Sequence, residues 1–364
     1  KGIGKSAIFQ MSYLENLKNK VLSIWVKPDD ILSIANAEDG TDPLEMIRQW
    51  KSGLEELLVE KVVSNFNISK DNDIINQISR NGLKLTERIG MIVKKVNDVI
   101  DVDAIKKSIA DQYLKNHKIV IYVDDLDRAW NGSSQNIYRI SALLNAVRDM
   151  CNESNELCFR ISLRSDVYYL VRTADESTDK IDGNVLWLTW TEHELLALLV
   201  KRVQTYFDTD IPEKELLDMK QREMSAYLDD IMADTFEGAG KWHNRPIRYI
   251  FLSLIRRRPR DLINLCTLAA RNANAEGRNS IVTEDWEEVF EQYSSSRLQD
   301  TINEHKYELP DIERLLLGMK PSHEMKKTEK PFVYDKERLV RKIEGIMQNG
   351  EFYFANKKNV QWKN

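Results

Sequence analysis

The stretch that decides the fold is residues 118–128, KIVIYVDDLDR. Its first part, 118–123, is a run of β-branched and aromatic residues without apolar and polar alternation, which is typical of a parallel strand covered on both faces. The run stops at Asp124 and Asp125. It therefore predicts a buried strand with two carboxylates at its carboxyl end.

Similar apolar runs on either side extend this pattern. Short strands are predicted at 21–26, 157–163 and 185–189, and a helix is predicted at 135–150. Strands separated by helices favour an α/β fold with a three-layered parallel sheet. Residues 8–14 have apolar spacing that suits a helix packed on that sheet.

The rest of the chain reads as mostly helical. Apolar residues recur every three or four positions between 42 and 117, which predicts a helical insertion within a core of residues 1–205. A helical lid domain is expected at 206–320 and a small, winged-helix-like end at 331–364. The individual helices are predicted at 192–205, 224–236, 246–255, 260–275, 283–293 and 336–347, with a charged linker at 320–330 and strand-like pieces at 352–354.

A glycine, lysine and serine near the start form a candidate phosphate-binding segment. Gly4, Lys5 and Ser6 match the last three positions of a phosphate-binding loop, in which backbone N–H groups and the lysine bind phosphate and the hydroxyl binds magnesium. Gly2 adds flexibility, and Ala7 continues into the helix. The other glycine of the motif would precede residue 1. An ordinary helix start remains the alternative.

The aspartates after the buried strand supply the second half of such a site. Asp124 is expected to hold the magnesium ion through water or through Ser6, and Asp125 is expected to orient or deprotonate the attacking water. The alternative is an Asx turn in which both carboxylates are solvated.

Residues 123–128, VDDLDR, resemble the magnesium-binding signature of the KAP-type and STAND-type P-loop ATPases, relatives of the AAA+ proteins. The resemblance covers about residues 1–275 and implies a P-loop core of the additional-strand class that uses ATP and Mg²⁺. Residues 160–166 resemble the sensor segment of these families, which makes Arg164 the candidate sensor. A surface arginine that caps a strand is the alternative.

A second arginine-rich segment, RRRPRDLI at 256–263, resembles a segment of related bacterial ATPases. Proline suits the first turn of a helix, which leaves Arg258 and Arg260 at its start, where either could read the γ-phosphate. A solvated helix start and a nucleic-acid contact are the alternatives. The apolar residues that flank the arginines predict a half-buried segment.

The composition and the net charge limit the classes of partner that this protein would attract. Hydrophobic residues make up 42% of the 364 residues and charged residues 30%, which indicates a folded protein, and the net charge of −5 provides no general attraction to nucleic acid or an anionic membrane. Three cysteines without a CxxC pair indicate buried free thiols. No apolar run is long enough to cross a bilayer and no signal peptide is visible, so a cytoplasmic setting is expected.

Together these features predict a magnesium-dependent ATPase that acts as a nucleotide-driven switch or assembly scaffold. The family resemblance implies a bacterial homo-oligomer, an effector partner of the nuclease type and a role in anti-phage defence. KAP-type proteins often carry transmembrane segments, and this sequence shows none, so no membrane partner is expected. Asp125 stands where many relatives have glutamate, so slow turnover is expected. The alternatives are a motor or loader stimulated by nucleic acid, and a nucleotide-binding scaffold with little turnover.

Overall fold

The computed structural model describes residues 2–35, 42–68, 83–98, 103–128, 130–321 and 333–348. The chain divides into two compact units. The first runs from Lys5 to Leu186, and the second contains residues 2–4 together with the described residues from Trp187 onward. Residues 187–205, which we assigned to the core, thus belong to the second unit.

A parallel sheet of three strands lies in the first unit, formed by β1 (Leu22–Val26), β2 (Ile119–Val123) and β3 (Leu157–Ile161). Strand β2 lies between the other two, with Ile121 opposite Ile24 and Phe159. Every residue of β2 is buried, which explains why its sequence does not alternate. These three predicted strands are confirmed.

The strand predicted at 185–189 is wrong, since these residues form no regular element. Leu186 is 81% exposed and Trp187 is 47% exposed. An apolar run alone does not reveal whether a neighbouring strand is available for pairing, so this segment carried the signal of a strand without becoming one.

Helices surround the sheet in the described part of the first unit. They are α1 (Lys5–Lys18), α2 (Pro43–Asn65), α3 (Leu85–Lys94), α4 (Ala104–Asn116), α5 (Ser134–Glu153) and α6 (Ser165–Ala174). Three of them, α2 to α4, lie in the predicted helical insertion. Short 3-10 helices occur at Pro28–Ile31, Lys95–Asp98 and Glu176–Asn184.

The two faces of the sheet pack against different helices, because successive strand residues point in opposite directions. Ile24 and Ile121 belong to a buried core that includes Trp50 of α2 and Ala146 of α5. Tyr122 instead contacts α1, where the ring of Phe9 lies 5.4 Å away between centroids. The sheet therefore carries helices on both faces.

Helix α1 makes this contact with aromatic side chains rather than with a buried aliphatic stripe. Phe9 and Tyr13 pack edge-on against Trp25 and Tyr122. No residue of α1 is fully buried, and Met11 is exposed. The expected packing on the sheet is present, but it leaves much of the helix accessible.

The second unit is built from helices and a short hairpin. The helices are α7 (Glu192–Tyr206), α8 (Glu213–Asp218), α9 (Gln221–Ser225), α10 (Ile247–Leu254), α11 (Pro259–Ala275), α12 (Thr283–His305), α13 (Ile312–Gly318) and α14 (Lys336–Met347). Strands β4 (Thr235–Phe236) and β5 (Arg245–Pro246) pair antiparallel, and 3-10 helices occur at Ala226–Leu228 and Gly240–Trp242. The buried rings of Phe251 and Trp286 stack in its core, 5.8 Å apart.

The helix predicted at 224–236 is wrong. Helix α9 ends at Ser225 and a 3-10 turn follows it, after which Phe236 enters β4. The adjacent Asp229 and Asp230 are weak helix formers, and the burial of Phe236 in the core stabilises the hairpin instead. Helix α12, by contrast, extends well beyond the predicted end at residue 293.

A buried carboxylate fixes α12 to the turn that precedes it. Asp285 is fully buried and accepts hydrogen bonds from Asn272 Nδ2 at 3.0 Å, Val282 N at 2.9 Å and Arg278 Nε at 3.3 Å. Burial alone would raise the pKa of Asp285, but the hydrogen bonds, foremost that from Arg278, outweigh it and hold the pKa below its usual value.

The predicted helix at 336–347 is confirmed as α14. Most of the predicted linker and all of 352–354 lie outside the described residues, and so does most of the expected winged-helix-like end. The three cysteines are free, as predicted, but they are partly exposed rather than buried. Within the described ranges, no helix has the length and apolar composition that a membrane span requires.

Candidate phosphate-binding site

Two polar side chains meet at the carboxyl edge of the parallel sheet. Asp124 directly follows β2 and Ser162 directly follows β3, and both are buried. The Ser162 hydroxyl donates a hydrogen bond to Asp124 Oδ1, and the Ser162 N–H donates to the carbonyl of Val123 at 3.0 Å. Carboxyl ends of parallel strands are where ligands bind in open α/β sheets, so the fold places Asp124 at a favourable edge.

Lys5 reaches the same part of the first unit from the start of α1. Its Nζ lies 3.8 Å from Asp127 Oδ1, and its side chain is mostly buried. This distance is too long for a hydrogen bond but close enough for strong electrostatic attraction. The predicted phosphate-binding lysine and the DDLD segment are therefore brought together by the fold.

Arg164 joins the cluster from the residue before α6. It is 6% exposed, its Nε donates to Asp166 Oδ1 at 3.0 Å, and the same Nε lies 3.8 Å from Asp127 Oδ2. The alternative of a surface arginine is therefore wrong. Arg164 and Lys5 approach opposite oxygens of the Asp127 carboxylate.

Asp125 is placed differently from its neighbours. Its side chain is exposed, and its backbone is in the left-handed region with φ 54°. Its carbonyl accepts a turn hydrogen bond from Arg128 N at 2.8 Å. A non-glycine residue in this region costs about 1 kcal/mol or more, and such outliers concentrate at functional sites. The structure leaves Asp125 accessible to a ligand, and its role as base stays a prediction.

The glycines of the predicted loop have the conformations that only glycine adopts readily. Gly2 has φ 78° and Gly4 has φ 102°. A Cβ on Gly2 would lie 2.8 Å from the Cβ of Arg260, so a larger residue is excluded by contact as well. Ser6 and Ala7 lie exposed in the first turn of α1.

Arg258 and Arg260 flank the start of α11 in the second unit. Arg258 precedes the helix, and its guanidinium lies 3.9 Å from Glu304. Arg260 is exposed, and its N–H donates to the carbonyl of Gly2 at 3.3 Å. Arg260 thus contacts Gly2 within the second unit.

The segment around these arginines is half buried, as its flanking residues predicted. Leu262 is fully buried, and Asp261 beside it is buried as well. Asp261 accepts hydrogen bonds from Arg256 Nε at 3.1 Å and from an Arg297 terminal nitrogen at 2.9 Å. Much of the positive charge is therefore neutralised within the unit.

Asp124 and the predicted donor Ser6 are oxygen ligands of the type that a magnesium ion takes. Mg²⁺ prefers carboxylate oxygens and water, and Asp124 offers a buried carboxylate with the Ser6 hydroxyl as the predicted second donor. The Oδ1 of Asp127 is buried without a hydrogen-bond partner among the described residues, so the cluster has unused polar capacity. Bound there, the ion would neutralise charge on the phosphates.

Sequence reasoning missed Ser162 as a member of this cluster and did not predict the position of Asp127. Ser162 is the first polar residue after β3, and its position at the carboxyl end of a strand is the signal that could have identified it. Asp127 lies three residues after Asp124, and no strand or helix period predicted that it would turn back toward Lys5.

Comparison with known proteins places one part of the chain. Residues 193–302 match the family model described as the FunZ-associated C-terminal helical domain. Over 346 residues the chain is 24% identical to the "Putative transposon gamma-delta 80.3 kDa protein" of Escherichia coli (strain K12), covering 86% of this chain and 47% of that protein. It is also 29% identical over 133 residues to "Allergen Alt a 2" of Alternaria alternata, covering 36% of this chain and 62% of that protein.

The chain therefore spans about half of the length of the E. coli relative and less than two thirds of the length of the Alternaria relative. No solved structure matches. The family match lies in the second unit; it includes residues 256–263 but neither 123–128 nor 160–166, and the resemblance to KAP-type and STAND-type ATPases stays a prediction. What is shown is that residues 193–302 are similar to the FunZ-associated C-terminal helical domain.

Proposed function

We propose that this chain binds ATP with Mg²⁺ at the carboxyl edge of its parallel sheet and hydrolyses it slowly. The observation that carries the proposal is the convergence of Lys5, Asp124, Asp127 and Arg164 at that edge, from segments far apart in the sequence. An ordinary helix start does not require a buried acidic segment beside it. A triphosphate site requires both the lysine at the helix start and the acidic segment.

Each residue has a chemical role on this proposal. Lys5 binds the β- and γ-phosphates, while Asp124 and Ser6 hold the magnesium ion. Water attacks the γ-phosphorus as the bond to the β-phosphate oxygen breaks, and Asp125 accepts the proton of that water. When ATP is bound, the Arg164 guanidinium contacts the γ-phosphate in addition to its carboxylate partners.

The second unit supplies candidate nucleotide sensors. Arg260 supports this role because its backbone binds Gly2 of the predicted loop. On the same proposal, the nucleotide state controls self-association and the engagement of an effector of the nuclease type, in bacterial anti-phage defence. The word "transposon" in the name of the E. coli relative is compatible with a role in mobile genetic elements as well.

The charge distribution weighs against a primary nucleic-acid contact at residues 256–260. Arg256 and Arg258 face Asp261 and Glu304, and Arg257 lies 3.6 Å from Glu192. Arginines that are already paired contribute less to binding a phosphate backbone.

The test is equilibrium binding of ATP to the purified chain, joined with phosphate release in the presence and absence of Mg²⁺. Saturable ATP binding that is tighter with Mg²⁺, together with slow, magnesium-dependent phosphate release, is expected. Binding without release would favour the scaffold alternative, and release that rises severalfold with added DNA or RNA would favour the motor. Absence of ATP binding would refute the proposal.

A further inference from the structure

Asp127 lies at the centre of the cluster yet has no assigned part in binding magnesium or activating water. It is 8% exposed, and its two oxygens face two different cations at 3.8 Å each, Lys5 on one side and Arg164 on the other. Both distances exceed that of a hydrogen bond. Oδ1 has no hydrogen-bond partner among the described residues, although it is buried.

Asp127 lies between two cations. Lys5 faces one of its oxygens and Arg164 the other, and Arg164 also pairs with Asp166. A polyphosphate requires a net positive environment. The same two cations that would attract the phosphates are thus neutralised by carboxylates when no ligand is bound.

We infer that Asp127 is a built-in counter-ion that occupies the phosphate-binding cations in the nucleotide-free protein and so lowers nucleotide affinity. The inference rests on the proposed function, since it concerns the same site. Because Asp127 attracts Lys5 and Arg164 without hydrogen-bonding to them, the side chains can turn to phosphate oxygens at small geometric cost. The carboxylate then opposes the bound anion and favours its release, which keeps the nucleotide exchangeable.

The test replaces Asp127 with asparagine, which has nearly the same shape and no charge. ATP affinity is measured by calorimetry, with Mg²⁺ and with EDTA. We expect binding about tenfold tighter in both conditions, the effect of removing one negative charge close to an anion site. Asp127→Glu restores the charge and is expected to return the affinity toward that of the wild type.

Glu153→Gln is the matched control. It removes one negative charge from the same unit, at an exposed pair with Lys51 at 2.6 Å, and is expected to leave ATP affinity unchanged. A tightening equal to that of Asp127→Asn would overturn the inference, because the effect would then follow net charge alone.

Thermal unfolding of the nucleotide-free protein gives a readout that does not depend on ATP. Asp127→Asn leaves Lys5 without its carboxylate and is expected to lower the melting temperature, whereas the double variant Lys5→Met, Asp127→Asn is expected to recover part of the loss. If the melting temperature of the double variant is no higher than that of Asp127→Asn alone, the inference is overturned. This comparison holds even if Asp127→Asn folds poorly.

The remaining outcomes are distinguishable. If the wild type binds ATP and Asp127→Asn binds it equally or more weakly, the inference is wrong and the proposed function stands. If the weakening appears with Mg²⁺ but not with EDTA, Asp127 is a metal ligand rather than a counter-ion. If the wild type does not bind ATP, the proposed function fails and the inference fails with it.

Discussion

Replacing Lys5 with alanine should weaken ATP binding by about 100-fold. A charge-assisted hydrogen bond to phosphate contributes roughly 1.5–3 kcal/mol, which corresponds to about 10- to 150-fold in affinity. The structure favours the upper part of this range. Removing Lys5 also takes away one of the two cations that face Asp127, so the carboxylate adds repulsion of the phosphates.

The assay is isothermal titration of ATP in excess Mg²⁺, with circular dichroism to verify that helical content is kept. Lys18→Ala is the matched control, because Lys18 is an exposed lysine in the last turn of the same helix, α1. It is expected to bind ATP as the wild type does. A dissociation constant for Lys5→Ala within about threefold of the wild type would refute the reasoning, since a change that small is below the value of one charged hydrogen bond.

Three further outcomes are expected. Arg260→Ala is expected to reduce ATP hydrolysis or nucleotide-dependent assembly. Arg258→Ala is expected to have a smaller effect, because Arg258 already pairs with Glu304. A collapse of DNA or RNA binding, measured across a salt series, would favour the motor instead. Asp125→Asn is expected to keep ATP and Mg²⁺ bound while single-turnover hydrolysis slows about 10²–10⁴-fold, whereas Asp124→Asn is expected to lower binding and hydrolysis together; hydrolysis at the wild-type rate would exclude Asp125 as the base. Asp285→Asn is expected to lower the free energy of unfolding at neutral pH by about 2 kcal/mol, measured by urea titration. Because folding depresses the pKa of Asp285, the wild type should keep this full advantage over the variant above the ordinary carboxyl pKa. The advantage should disappear as the pH falls through the pKa of Asp285 in the folded protein.

Local sequence was sufficient where burial on two sides leaves a continuous pattern. Residues 119–123 are apolar throughout because β2 is central and covered on both faces, so the strand was visible without its neighbours. Helices such as α5, α11 and α14 were visible because their apolar periods and starting residues are local properties. The same local signals failed at 185–189, where apolar residues remain exposed.

In the candidate site, too, local sequence predicted some features and only the tertiary structure decided the others. The sequence alone predicted a helix after Gly4, a strand that stops at Asp124 and Asp125, and strands alternating with helices. Tertiary structure decided which of these groups meet: Lys5 lies 3.8 Å from Asp127, Arg164 is buried between two carboxylates, and Asp125 is turned outward by a left-handed backbone. The physical reason is that residue type and period are encoded over a few neighbouring positions, whereas pairing between charges 122 residues apart depends on how α1 and the loop after β2 pack around the same sheet.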